Sequence, residues 1–223
     1  MSITDNLNLI NKTLPSNLSL IAVSKTKPIV DIIEAYNAGH RSFGENKAQE
    51  MTDKYNALPK DIQWHFIGHL QTNKVKFIAP FVHLIHSVDS YRLLLEINKE
   101  ALKNNRCIDC LLQMYIAEED SKFGMDYQEA EDLLKNKIFD LNGIRIVGVM
   151  GIATFTYNHD QIRKEFSILN AYFNKIKAIY FNNVGYFKEI SMGMTDDYKI
   201  AIEQGSTIVR IGSAIFGNRK YNK

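Results

Sequence analysis

Little in this sequence suits a secreted, membrane-bound or nucleic-acid-binding protein. It has two cysteines, Cys107 and Cys110, four prolines and one tryptophan in 223 residues. Two cysteines cannot build a disulfide framework. A lone C-x-x-C with no second pair and no thioredoxin-like surroundings reads as two ordinary reduced thiols beside a buried strand. Charge of one sign is also missing: 27 Lys and Arg against 25 Asp and Glu leave a net charge of +2. That is too balanced to imply nucleic acid or a membrane surface as partner. No apolar run approaches the ~20 residues of a membrane span. The start, "MSITDNLNLI", has neither the basic region nor the apolar core of a leader, so the expected compartment is the cytoplasm. No G-x-G-x-x-G follows the first strand, which removes the dinucleotide fingerprint.

What is present is alternation. Ile21 to Val23 form a short strand; Pro28 stands where a helix begins and Gly39 where one stops. Between them Ile29, Ile32, Ile33 and Tyr36 fall on one helical face. The pattern repeats. "RSFGE" precedes a helix marked by Ala48, Met51 and Tyr55, and "QWHFIGH" precedes "NKVKFI". "VHLIHSV" runs into Asp89 and Ser90, both good caps, and then "YRLLLEINKEAL". "IDCLLQMYI" precedes "YQEAEDLLKNK", and "IRIVGVMGI" precedes a long helix on Ile162, Phe166, Leu169, Phe173 and Ile176. "FKEISMG" precedes "TDDYKIAIEQG", and "STIVRIGSAIFG" closes the set. Eight strand–helix units with short joints predict parallel pairing and closure into one α/β domain over residues 1–223, a (β/α)8 TIM barrel, with an open doubly wound sheet as the rival. The stretch "ITDNLNLINKTL" predicts an extra N-terminal helix covering the barrel bottom.

Barrels carry their functional groups at the C-terminal strand ends. The first strand there delivers Lys25, on the same side as Ile21 and Val23 by period two. An amine entering a barrel mouth is costly unless paired or used; desolvation lowers its pKa and frees a lone pair that can attack an aldehyde. The bland alternative is a lysine reaching out to solvent. At the other end of the chain, "SMGMT" before Asp196 and Asp197, and Gly212 before Ser213, each set backbone N–H groups and a hydroxyl at a helical start. Loops after strands seven and eight commonly hold phosphate in barrels, and glycine lets the backbone come close to the anion. Arg210 lies two residues before Gly212 on the same face. A guanidinium keeps its protons, so against a pyridine nitrogen it would donate and leave that nitrogen unprotonated, one recognised arrangement for pyridoxal phosphate (PLP).

Two other constellations point elsewhere and are weaker. His65 with His69, and His83 with His86, have metal-like spacing, but "HFIGH" lacks the glutamate of H-E-x-x-H and sits on a strand-to-loop stretch, so no metal is expected. The acidic run Glu118 to Asp120 reads as a solvated loop.

The segments "AVSKTKP", "FGEN", "WHFIGHLQTNK", "GVMGI", "ISMGMTDD" and "VRIGSAIFG", in this order from about Ile21 to Gly217, resemble the YggS/PROSC family of PLP homeostasis proteins. The resemblance implies one barrel like the N-terminal domain of alanine racemase. It implies PLP held as a Schiff base on Lys25, Arg210 facing the pyridine nitrogen, and Ser191, Met194, Thr195, Gly212 and Ser213 around the phosphate. Asn46 and Met150 would line the pocket around the ring, His65 and Asn73 its rim, and Lys122 would be a loop lysine linked to cofactor release. The family often has Ser at the place of Thr195 and Thr at the place of Ser213; both exchanges keep a hydroxyl.

Three readings of such a site follow. One is a carrier that buffers PLP or delivers it to apo-enzymes, without turnover, as a monomer or weak dimer. The second is an amino-acid racemase, which needs a base on each face of the substrate; in two-domain alanine racemase one is a tyrosine from a partner's C-terminal β-domain. The residues after the eighth unit supply no such domain, and none of the eleven tyrosines stands in a motif that argues for a base. The third is a barrel for some other phosphorylated metabolite, with Lys25 as a mere charge. The sequence favours the carrier.

Overall fold

The computed structural model describes residues 1–118, 123–136, 138 and 140–217. Eight parallel strands close on themselves in sequence order: β1 (Ser19–Val23), β2 (Ser42–Glu45), β3 (Gln63–Phe66), β4 (Leu84–Val88), β5 (Ile108–Gln113), β6 (Ile144–Met150), β7 (Glu189–Ser191) and β8 (Ile208–Ile211). β8 returns to β1 with Ile21 opposite Arg210. The barrel is therefore the predicted one, and the open sheet is excluded. The helices between strands are α2 (Ile29–Asn37), α3 (Ala48–Ala57), α4 (Val75–Ile78), α5 (Tyr91–Lys103), α6 (Tyr127–Asn136), α7 (His159–Tyr180) and α8 (Tyr198–Glu203); α1 (Ile3–Thr13) precedes β1 and α9 (Ser213–Phe216) follows β8. Pro28 is the cap of α2 rather than its first residue, and a short 3-10 turn, Thr72–Lys74, leads into α4. Ser90 caps α5 through its side chain, whereas Asp89 bonds His69 Nδ1 at 3.1 Å.

The core has two compartments. Between strands and helices lies the larger, built from residues such as Ile32, Trp64, Leu94 and Phe166. A second, small apolar cluster joins Ile21, Leu84, Leu111, Val147, Met150 and Ile208. One glycine decides how tightly the wall closes. A Cβ at Gly148 would stand 1.8 Å from the Glu189 carbonyl, so β6 and β7 can approach only because Gly148 has none.

The N-terminal helix exists, with a Ser2–Asp5 capping box, but it does not cover the barrel bottom. It packs against α2 and α9, where Asn6 Nδ2 donates to the Ile215 carbonyl at 2.9 Å. The reason is length. α8 has six residues and α9 four, too short to shield the flank where β8 meets β1, and Leu7 and Ile10 of α1 fill that gap. The bottom holds a separate cavity of about 530 Å³, lined by strand starts including Ser19, Ser42, Gln63, Asp109, Arg145 and Lys188. Among the described residues no helix is long and apolar enough to cross a membrane.

Candidate functional site

At the opposite end, a cavity of about 580 Å³ opens among the C-terminal strand ends, within the roughly 300–1,000 Å³ of small-molecule sites. β1 ends at Val23, two residues earlier than strand periodicity alone suggests. The chain then turns through Ser24, Lys25 and Thr26, with Lys27 N–H donating to the Ser24 carbonyl at 3.0 Å. Lys25 is half-buried and lines the cavity. Asn46, Met194, Thr195, Arg210, Gly212 and Ser213 line it too. Seven of the nine predicted residues therefore meet in one place.

Met150 and Ser191 do not. Met150, 1% exposed, is packed into the small apolar cluster, and Ile152, two residues on, takes the place in the wall. Ser191 is the last residue of β7 and still alternates with the strand, so its hydroxyl enters the barrel interior behind Arg210 instead of reaching the loop. His65 is not on the rim either; it is buried inside the barrel. Asn73 belongs to a separate shallow pocket with His69 and Asp89. Lys122 lies outside the described residues, as do Glu119 and Asp120. Glu118 is exposed and pairs with Lys164 at 3.2 Å, as a solvated loop residue does. Cys107 is exposed and Cys110 buried, both as thiols; burial pushes the Cys110 thiol well up and makes it unreactive. No cluster of three metal-ligating side chains occurs among the described residues.

Arg210 is buried at 4% exposure with an ordered retinue. Its Nη1 donates to Ser191 Oγ at 2.6 Å and its Nη2 to the Gly151 carbonyl at 3.1 Å. Ser191 Oγ lies 2.9 Å from His86 Nδ1, and His86 Nε2 lies 3.0 Å from His65 Nδ1. Arginine can only donate. Ser191 therefore accepts from it and gives its own proton to His86 Nδ1. His86 then carries its proton on Nε2 and donates to His65 Nδ1. Both imidazoles are neutral, in agreement with burial, which holds His65 down to about 3 and His86 well below its ordinary value. Burial also brings Arg210 down to about 10, still protonated at neutral pH, with Asp197 pulling the other way.

The loops after β7 and β8 are tied to each other. Thr195 Oγ1 accepts from the Gly212 amide at 3.3 Å and lies 3.2 Å from Ser213 Oγ. Gly193, with φ +92°, allows the turn, and a Cβ there would stand 2.6 Å from the Ala201 side chain. Asp197 Oδ1 accepts from the Met194 amide at 2.5 Å. Hydroxyls and backbone amides thus gather on one wall, and an amine stands on the other.

The β1 turn has its own support, which sequence reasoning missed. Lys54 of α3, 6% exposed, reaches inward to Glu45 Oε1 (2.8 Å), Glu50 Oε1 (2.7 Å) and the Ser24 carbonyl (2.8 Å). Its signal was a charged residue in step with the apolar stripe of α3, at Ala48, Met51 and Lys54. The corresponding signal for His86 was a polar residue inside a strand whose five positions are all buried.

Fold and site together define a (β/α)8 barrel with a lysine just past the first strand, hydroxyls and backbone amides gathered after the last two, and a buried arginine on the eighth. The alanine racemase N-terminal domain family matches residues 1–220, and the chain belongs to it. It is 41% identical over 203 residues to a pyridoxal phosphate homeostasis protein of Aquifex aeolicus, covering 91% of this chain and 87% of the relative. Its fold superposes on PipY of Synechococcus elongatus, solved with PLP bound, with a TM-score of 0.89 and 32% identity over 97% of this chain and all of that one. Alanine racemase of Bartonella henselae shares the fold, with a TM-score of 0.71 at 17% identity. It is matched over 98% of this chain and 60% of its own.

Proposed function

We propose that this protein binds PLP in the cavity at the C-terminal strand ends and serves PLP homeostasis in the cytoplasm, holding the cofactor for release to apo-enzymes that need it. The observation that carries the reading is the convergence of Lys25, Arg210 and the Thr195–Gly212–Ser213 wall on one cavity. The donor set fits the group. PLP brings an aldehyde that condenses with a primary amine, a basic ring nitrogen and a phosphate. Lys25 is the amine. Arg210, held by Ser191 and Gly151, donates toward the ring nitrogen and keeps it from taking a proton. Thr195, Ser213 and the amides that open α9 donate to phosphate oxygens. Asn46 and Ile152 border the ring. Similarity to proteins named for PLP homeostasis, and to one solved with PLP bound, supports the same reading.

Holding is favoured over turnover. A racemase needs a second proton-moving group across the substrate from Lys25. Among the described residues lining the cavity, the nearest candidate by type is Asp196, on the phosphate wall. Borohydride reduction of PLP-loaded protein followed by peptide mapping tests the binding mode; the modified residue is expected to be Lys25. Loss of the visible absorbance in Lys25→Ala is expected as well, and retention of both in that variant would end the proposal. Appreciable D-isomer from single L-amino acids would replace the carrier by a racemase.

A further inference from the structure

Two lysines, Lys25 and Lys27, line the same cavity two residues apart. What separates them is how the chain around each is held. Lys27 Nζ donates to the carbonyls of Phe216 (2.8 Å) and Gly217 (2.9 Å), closing the end of α9. The peptide units on either side of Lys25 are instead fixed to a cluster of ions. The Ser24 carbonyl, entering Lys25, accepts from Lys54 Nζ. The Thr26 amide, leaving it, donates to Glu50 Oε1 at 2.6 Å, and Glu50 Oε1 is itself bonded to Lys54. Ser24 Oγ donates to the fully buried Glu45 at 2.6 Å. Lys54 thereby uses all three of its protons, on Glu45, Glu50 and Ser24.

Such a cluster needs a reason. A buried ion pair seldom stabilises a fold more than apolar residues of the same size would, and α3 could carry an apolar residue at position 54. Thr26 adds a second oddity: it has φ +65°, a conformation a β-branched residue avoids. Strain of this kind persists where surrounding bonds hold it; here Lys27 N–H closes the turn onto the Ser24 carbonyl, and Thr26 N–H is fixed from outside the turn by Glu50.

We propose that Glu45, Lys54 and Glu50 are positioning residues that keep residues 24–26 in their turn, with Thr26 left-handed, and so select Lys25, not Lys27, as the amine that meets the aldehyde. The inference rests on the PLP reading above. Its test is borohydride mapping of loaded protein together with amide hydrogen exchange of the ligand-free protein. Three variants are compared with wild type: Glu50→Ala, Glu50→Gln, and the double exchange E45L/K54M, whose apolar pair keeps the interior filled. In Glu50→Ala and in the double variant, at least a tenth of the label is expected on Lys27, and Thr26 amide exchange is expected to rise at least tenfold. Glu50→Gln is expected to restore both, because its amide oxygen still accepts from Thr26. Label confined to Lys25 in both disrupted variants, or Glu50→Gln behaving as Glu50→Ala, overturns the inference. Should wild type take no label, the PLP reading falls, while Thr26 exchange still reads the clamp.

Discussion

The two walls of the cavity are held by opposite electrostatic means. Behind Lys25, three ions sit together: Glu45, Lys54 and Glu50, two of them more than nine-tenths buried. Behind the opposite wall a single cation, Arg210, is followed only by neutral groups, Ser191, His86 and His65. The first arrangement cancels charge where the backbone has to be fixed. The second leaves a guanidinium without a bonded carboxylate, held only by the neutral acceptors Ser191 Oγ and the Gly151 carbonyl at the edge of the cavity. The contrast predicts that the first wall tolerates joint removal of its pair, whereas the second depends on its histidines staying neutral.

The largest effect is expected on the ionic side. Lys54→Met alone leaves Glu45 buried with its counter-charge gone, and a broken buried pair costs about 3–5 kcal/mol. E45L/K54M removes both charges and is expected to be within about 1–2 kcal/mol of wild type. Urea unfolding of both variants checks this. Equal loss in the two would mean that the charges themselves stabilise, and would undo the contrast.

The next concerns protons. His65 and His86 have folded pKa values below their ordinary 6.5, His65 near 3. The unfolded chain therefore takes up protons that the folded chain refuses as pH falls below about 6.5. Stability contributed by the neutral pair is complete above that pH and is lost on acidification, at about 1.4 kcal/mol per pH unit for each histidine. For His65, held near 3, that is about 2 kcal/mol by pH 5; His86 adds in the same direction. Glu45 acts in the other direction: burial raises its folded pKa, so between 4.5 and that raised value it gains stability as pH falls and offsets part of the loss. Denaturant midpoints between pH 8 and 5 are expected to fall in wild type, and His86→Leu is expected to flatten the slope by about one proton. A wild-type profile that stays level would mean a charged histidine in the chain.

A smaller change is expected from Ser191→Ala. Arg210 Nη1 loses its acceptor and His86 Nδ1 its donor, which costs about 1–3 kcal/mol for buried groups. PLP affinity is expected to drop severalfold because the guanidinium is no longer oriented. Unaltered affinity would reduce Ser191 to a packing residue.

The sequence made some of this legible and hid the rest for physical reasons. The barrel was legible because each strand and its crossover helix announce themselves locally. Lys25, Arg210, Thr195 and Gly212 were legible because strand ends in a barrel have one destination. Ser191 and Met150 were misplaced because the last inward residue of a strand and the first outward residue of its loop differ by one or two positions, and only the register of β6 and β7, set by the close approach at Gly148, decides between them. The course of α1 depended on how short α8 and α9 turned out to be. Lys54 stayed hidden because only Glu50 shares its helix; Glu45, at the end of β2, and Ser24, just past β1, lie far off in sequence, and nothing in α3 by itself says that an inward lysine will find them.

The smallest effect is expected at the barrel floor, and it shows why burial rather than geometry makes the first wall matter. Arg145 and Asp109 form a two-bonded pair, at 2.7 and 2.8 Å, as well shaped as the Lys54–Glu45 contact. Their side chains, however, remain 49% and 24% exposed. Water already solvates both, so removing one leaves no stranded charge, and salt screens what attraction there is. Arg145→Ala is therefore expected to cost about 0–1 kcal/mol, less at high salt, and to leave the absorbance of PLP-loaded protein unchanged. A loss above about 2 kcal/mol would show that good geometry suffices without burial. The large cost assigned to Lys54 would then need another cause.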